Sequence, residues 1–149
     1  MSHEQMKRLE AMAPARALKV RIVAVRRGEE LDHAFEQAKR TAQAVLVLAD
    51  QNLEPRRVVA LSVKHKLPDM HVVREFVDAG GLMAYAPDVA VMFRRAADYV
   101  DRILKGANPA NLPIEEPSKL VFIVNLKAAK IIGLTIPASI LLRADEVIR

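Results

Sequence analysis

Short apolar runs rich in β-branched residues alternate along this chain with amphipathic helical stripes, and that alternation restricts the fold more than any other property of the sequence. Lys19 to Val25, carrying Val20, Ile22 and Val25, predicts a strand before the loop Arg26-Arg27-Gly28. Leu31, Ala34, Phe35, Ala38 and Ala42 then share one face of a helix. Ala44 to Leu48 is a continuous apolar run of the kind buried on both faces of a parallel sheet. After the polar break Asp50-Gln51-Asn52, the residues Val58, Leu61 and His65 mark another helix, closed by Pro68 before a strand over Met70 to Val73. Glu75 to Asp78 with Gly80-Gly81 reads as a turn, Leu82 to Tyr85 as a further strand, and Pro87 as the way out of it. The repetition predicts an α/β domain: a mostly parallel sheet with helices on both faces and right-handed crossovers.

Outside this repeat, Met6, Leu9 and Ala13 predict a short first helix that Pro14 ends. The clearest element of the chain lies further on. Val89, Met92, Phe93, Ala96, Val100, Ile103 and Leu104 form one apolar stripe, with Asp88 as N-cap and Gly106 just past the end. From Ala107 to Lys119 the prolines 109, 113 and 117 fall four apart and predict a stiff, extended crossing segment. Leu120 to Val124 reads as a buried strand, Asn125 as the N-cap of a helix over Leu126 to Ile132, and Gly133 as its stop; a last helical turn over Ser139 to Ile148 follows Pro137. The chain is thus read as one domain, 1–149, with a core over 1–87, a long helix over 88–106, the crossing over 107–119, and a returning strand and helices over 120–149. At 149 residues and 52% apolar composition it can bury about 70% of its unfolded surface without staples.

Much chemistry is excluded by what the chain lacks. With no cysteine there is no thiolate nucleophile, thiolate zinc site or iron–sulfur ligation. The 23 Lys and Arg against 18 Asp and Glu give a net charge of +5, but the cations stand singly or in doublets such as Arg26-Arg27 and Arg94-Arg95, without interleaved aromatics, and there is no tryptophan. No nucleic-acid partner is expected. No apolar run approaches the roughly 18 residues of a membrane span. The histidines at 3, 33, 65 and 71 have no metal-ligand spacing and no carboxylate cluster beside them; His65 continues an apolar stripe and His33 faces solvent. The four serines form no G-x-S-x-G turn, the five glycines form no phosphate loop, and Glu115-Glu116 reads as a solvated pair. No catalytic residue, metal or cofactor is predicted.

The stretch Arg74-Glu75-Phe76-Val77-Asp78-Ala79-Gly80-Gly81-Leu82-Met83-Ala84-Tyr85, followed by Phe93 to Gly106, resembles the ABC-transporter substrate-binding proteins related to tryptophan-binding proteins. Leu112-Pro113-Ile114-Glu115-Glu116-Pro117-Ser118-Lys119 is similar to that family's L-P-V-E-Q-P-T-K crossing, and Ile123-Val124-Asn125-Leu126-Lys127 with Gly133-Leu134-Thr135-Ile136-Pro137 to its I-N-L-K…G-L-T-I-P ending. The resemblance runs from about Leu18 to the C-terminus. It implies the fold of type I periplasmic binding proteins, in which two α/β lobes joined by crossing strands hold a small solute between them; this chain has room for the C-terminal lobe alone. It also implies an ABC permease as partner and a periplasmic or cell-envelope location, whereas the polar start Met1-Ser2-His3-Glu4-Gln5 shows no signal peptide and leaves the chain as written in the cytoplasm. Met83-Ala84-Tyr85-Ala86 stands where the family has M-S-Y-G, and Leu48-Ala49-Asp50 where it has L-P-D.

In open parallel sheets, ligands lie at the carboxyl ends of the strands. Those ends carry Arg26-Arg27, Asp50-Gln51-Asn52, Arg74-Glu75 and Tyr85 to Asp88, and the candidate ligand-binding residues are Asp50, Asn52, Arg74 and Tyr85. Asp50 can take an ammonium, Arg74 can clamp a carboxylate, and Tyr85 can cover an apolar body, which suits an amino-acid-like solute. Ordinary duties stand beside these roles: Asp50 and Asn52 as turn residues, Arg74 paired with a neighbouring acid, Tyr85 as packing. The stripe of the 88–106 helix would pack on the lobe absent here, so the chain is expected to form a homo-oligomer through it, a two-fold dimer with paired or exchanged helices. In the contrary arrangement the helix folds back on its own sheet. The function expected is solute binding for an ABC-type importer; the alternative is a non-catalytic, homo-oligomeric interaction protein.

Overall fold

The computed structural model describes residues 3–25, 28–48, 50 and 52–149. Five strands, β1 (Val45–Val47), β2 (Asp69–His71), β3 (Met83–Pro87), β4 (Leu120–Asn125) and β5 (Glu146–Ile148), form one sheet in that spatial order. β1, β2 and β3 run parallel, β4 runs antiparallel to β3, and β5 is parallel to β4. Val47, His71, Ala84, Ile123 and Glu146 therefore line up in one row across the sheet.

The first three helices sit where periodicity predicts. α1 (His3–Met12) stops ahead of Pro14, whose ring has no place inside a helix. α2 (Glu30–Thr41) turns Leu31 and Phe35 inward and leaves His33 exposed. α3 (Pro55–His65) starts on a proline, which needs no amide hydrogen there, and ends at Lys66 in the left-handed conformation (φ 51°). Leu31, Phe35, Val58, Leu61, Leu67 and Phe76 form one core, and Val45 and Val47 of β1 lie against it. His65 is half-buried, its ring stacked toward Phe35 at 6.5 Å.

Successive residues of β4 face opposite sides of the sheet. Val124 packs with Leu82, Ala128, Ala129 and Ile136, whereas Ile123 packs with Ala84 and with Val77 of α4 (Glu75–Asp78). α6 (Leu126–Ile132) is capped at both ends: Asn125 Oδ1 accepts from the amides of Lys127 and Ala128, and Gly133 adopts φ 75°. Asn125 and Gly133 thus have the roles predicted for them.

Several expectations are corrected. Residues 19–25 form no strand; they make no ladder with the sheet, and Val20, Ile22 and Val23 are exposed. β-propensity expresses itself only against an edge with free hydrogen-bonding groups, and this segment reaches none. The 75–78 turn is the short helix α4, β2 begins at Asp69 rather than Met70, and Pro87 is the last residue of β3 rather than a turn beyond it. The helical turn expected over 139–148 divides into α7 (Ala138–Leu141) and the strand β5.

Between β3 and β4 the chain leaves the sheet. α5 (Val89–Leu104) is capped by Asp88, whose carboxylate accepts from Val91 N at 3.1 Å, and Gly106 (φ 97°) follows it. Not one residue of α5 is buried, so the helix does not fold back on its own sheet. A 3-10 turn (Pro109–Asn111) and an extended strap then return the chain to β4, where Asp88 N donates to Lys119 O at 3.0 Å. No helix among the described residues is long and apolar enough to cross a membrane.

Candidate functional site

Parallel pairing of β1, β2 and β3 brings their carboxyl ends side by side, with Asp50, Asn52 and Arg74 beyond the ends of β1 and β2 and Tyr85 inside β3. Asp50 and Asn52 follow β1, Arg74 follows β2 at the start of α4, and Tyr85 lies within β3. Arg26, Arg27 and Gln51, also read as strand-end residues, fall outside the described residues.

Asp50 folds the loop toward α3. Its Oδ1 accepts from Asn52 N at 2.8 Å, the Asx turn that a short acidic side chain makes with the backbone two residues on. Both side chains remain exposed. Tyr85 is 50% exposed, its ring edge-on to Phe122 across the β3–β4 pair with centroids 6.4 Å apart. It offers an apolar wall to anything resting on this end of the sheet.

Arg74 is already engaged. Its two terminal nitrogens donate to the two carboxylate oxygens of Glu146 at 2.6 and 2.8 Å, and Nε donates to Asp78 Oδ2 at 3.3 Å. This fork raises the guanidinium's already high pKa and lowers that of Glu146, each because the other's charge is hydrogen-bonded to it. A solute carboxylate can take the two-pronged Nη1–Nη2 edge of Arg74 only by displacing Glu146. Of the two duties read for Arg74, pairing with an acid is the one present here, and Glu146 and Asp78 stand beside it. Asp78 was accessible to sequence reasoning through its i, i+4 spacing from Arg74. Glu146, 72 residues away, was not.

Beneath the strand ends lies a buried polar node. His71 is fully buried, its ring stacked on Phe76 at 4.6 Å, and its Nε2 lies 3.2 Å from Asp69 Oδ2, a close contact whose angle falls short of a hydrogen bond. So one histidine does have a carboxylate beside it, two residues away on the same face of β2. Asp69 Oδ1 accepts from Leu82 N at 2.7 Å. Burial pushes the Asp69 carboxyl up, but the His71 imidazole and the Leu82 amide outweigh it and hold the pKa below its ordinary value. Gly81 threads past: a Cβ there would stand 2.8 Å from Phe76 O and 2.9 Å from His71 Nε2. The node fixes the β2-to-β3 connection and is sealed from solvent, so it is a scaffold for the strand ends. No group of three or more metal-ligating side chains occurs among the described residues.

A groove of about 530 Å³ lies elsewhere, between α5 and the strap. Arg95 forks onto Glu115 at 2.6 and 2.5 Å, and Tyr99 donates to Pro113 O at 2.7 Å. Arg95 and Tyr99 pull the Glu115 pKa down to about 2. Glu115 is thus the strap's anchor rather than half of a solvated pair. Arg95, Tyr99 and Glu115 already have mates within the chain, so the groove is the seam between α5 and the strap.

The geometry of the whole is that of a known class. Residues 1–148 match the family model described as ABC transporter substrate binding protein. The chain belongs to that family. Among solved structures, the chain is similar to the ABC domain in complex with L-Trp from Streptococcus pneumonia (27% identity, TM-score 0.85, covering 97% of this chain and 50% of that one). A conserved domain protein from Vibrio cholerae shares the fold at 21% identity and TM-score 0.85, covering 97% and 49%. So does the ligand-free, open structure of CD0873, a substrate binding protein with adhesive properties from Clostridium difficile, at 16% identity and TM-score 0.72, covering 98% and 49%. The chain spans about half the length of these structures, as a single α/β lobe. No curated protein matches it.

Proposed function

We propose that this chain supplies one wall of a solute-binding cleft for an ABC-type importer, and that the carboxyl ends of β1, β2 and β3 carry the contacts. The observation that supports this most is the parallel order of β1, β2 and β3, which puts Asp50 and Asn52, Arg74, and Tyr85 on three adjacent strands or the loops after them, in a lobe like one half of a domain solved with L-Trp. The solute class is amino-acid-like: Asp50 draws the ammonium, Asn52 hydrogen-bonds, and Tyr85 covers the side chain. Arg74 receives the carboxylate by exchanging it for Glu146, so binding costs one fork before it gains another. The wall carries out no reaction of its own. Its partners are the solute and an ABC permease, and its place is the cell envelope.

Calorimetry with L-Trp and other L-amino acids tests this. Weak binding is expected, because one wall encloses half a solute. Tyr85→Ala and Asp50→Asn should each weaken it several-fold, and Glu146→Gln should strengthen it by freeing Arg74. Binding indifferent to all three sinks the assignment of residues. A second reading, a non-catalytic interaction protein assembled from copies of the lobe, is favoured by the exposed face of α5.

A further inference from the structure

The connection from β2 to β3 leaves the sheet at His71 and returns at Leu82, and one buried carboxylate holds both of its ends. Asp69 Oδ1 accepts from Leu82 N at 2.7 Å, where the chain comes back; Oδ2 stands 3.2 Å from Nε2 of His71, where the chain departs. The His71 ring is in turn the floor for Phe76 of α4, the two rings lying 4.6 Å apart and 11° from parallel. Gly81 completes the clasp. Its amide donates to Phe76 O at 2.8 Å, and only the absence of a Cβ lets it pass Phe76 and His71 so closely.

α4 is four residues long, and a single turn has no stable pose of its own. What it packs on decides its tilt. Val77 meets the aliphatic side chains of Ala84 and Ile123, a contact without direction, whereas the stack of Phe76 on His71 fixes an orientation as well. Arg74 stands immediately before this turn, its carbonyl accepting from Val77 N at 2.8 Å and Asp78 N at 3.1 Å, so its side chain starts from a point that moves with α4. The guanidinium must then meet Glu146 of β5 with both terminal nitrogens at once. Such a geometry tolerates a displacement of only about 0.5 Å. Asp78, the other acid on Arg74, is carried by the same turn, which leaves Glu146 as the fixed reference.

We propose that Asp69, sealed from any solute, is a positioning residue of the site: through His71 and Phe76 it sets the tilt of α4, and with it the place where Arg74 meets Glu146 or a solute carboxylate exchanged for it. The inference deepens the solute-binding reading, but its first test needs no solute. Carboxyl-carbon NMR at pH about 4.3, the ordinary glutamate value, should find Glu146 largely ionised in the wild-type chain, where Arg74 holds its pKa down, and about half protonated in Asp69→Asn. That substitution keeps an oxygen for Leu82 N and removes the charge beside His71. Phe76→Leu, which keeps apolar bulk but has no ring to stack, should act alike. Glu115, held by Arg95 on the strap, is the control and should stay ionised in all three chains. A Glu146 unmoved in both variants overturns the proposal, and so does a Glu115 that moves with it, since that marks loosening of the whole chain. Calorimetry with L-Trp is the second test. In a Glu146→Gln chain, where that carboxylate no longer competes for the fork, adding Asp69→Asn should weaken L-Trp binding several-fold; in an Arg74→Ala chain it should change nothing. Equal weakening in both backgrounds overturns the proposal. If the wild-type chain binds no L-amino acid while Glu146 is released as expected, the solute-binding reading falls and the positioning role stands.

Discussion

α3 and α5 are both amphipathic and both follow a β-strand, yet their fates differ. Val58, Val59 and Leu61 of α3 disappear into the core, whereas α5 buries nothing and leaves Phe93 and Leu104 in the open. A helical stripe states that a helix needs a cover. It does not state which chain provides it. In α3 the cover is local, through α2 and the sheet; in α5 the strap dresses only the polar side, through Arg95–Glu115 and Tyr99–Pro113.

The contrast is broken most severely by substitutions of equal chemistry in the two regions. Phe76→Ala removes a ring that packs in the core and stacks on His71, and should cost about 3–5 kcal/mol in urea denaturation. Phe93→Ala, at concentrations where the chain is monomeric, should change stability by no more than about 0.5 kcal/mol. If the two costs match, α5 is packed after all and the contrast falls.

Gly81→Ala comes next in size. Its Cβ meets backbone and a buried ring, neither of which can yield without moving α4 or β2, and overpacking of this kind costs about 1–3 kcal/mol. An unchanged denaturation midpoint would show that the β2-to-β3 connection is looser than these distances state.

A smaller effect appears with acid. The folded-state pKa of Asp69 lies below the unfolded value of about 3.9, so its contribution is present above that value and lost as pH falls through the folded pKa. Denaturation midpoints should fall below about pH 4, and Asp69→Asn should flatten that fall while lowering stability near neutrality. A variant with the wild-type slope would remove Asp69 from the account. The smallest effect belongs to the strap: Glu115→Gln breaks an exposed pair and should leave the midpoint of the core unmoved while loosening residues 113–119 to proteolysis.

Legibility from the sequence followed the distance over which each element is decided. α5 was plain because sixteen residues repeat one period, and Asp88 and Asn125 because a cap is settled within three residues. β5 was missed because three residues show no period, and its partner β4 is chosen by tertiary packing. Residues 19–25 have strand composition but make no ladder with the sheet. At the candidate site, the placement of Asp50, Asn52, Arg74 and Tyr85 followed from strand order, a fold-level property. The closing of Arg74 by Glu146 did not, since nothing near Arg74 in sequence encodes an acid at the far end of the chain.

The register of β3 with β4 has a further consequence. Pro87 faces Leu120, and Asp88 and Lys119 join immediately beyond by one backbone bond and an ion pair of 3.3 Å. Topologically, everything between them is the tip of a single β-hairpin, however elaborate its contents. A tip can be lengthened, exchanged or cut down to a tight turn without re-registering the strands beneath it. The lobe therefore carries its appendage as a detachable cassette: remove 88–119, and the sheet that presents the strand ends keeps its ladder.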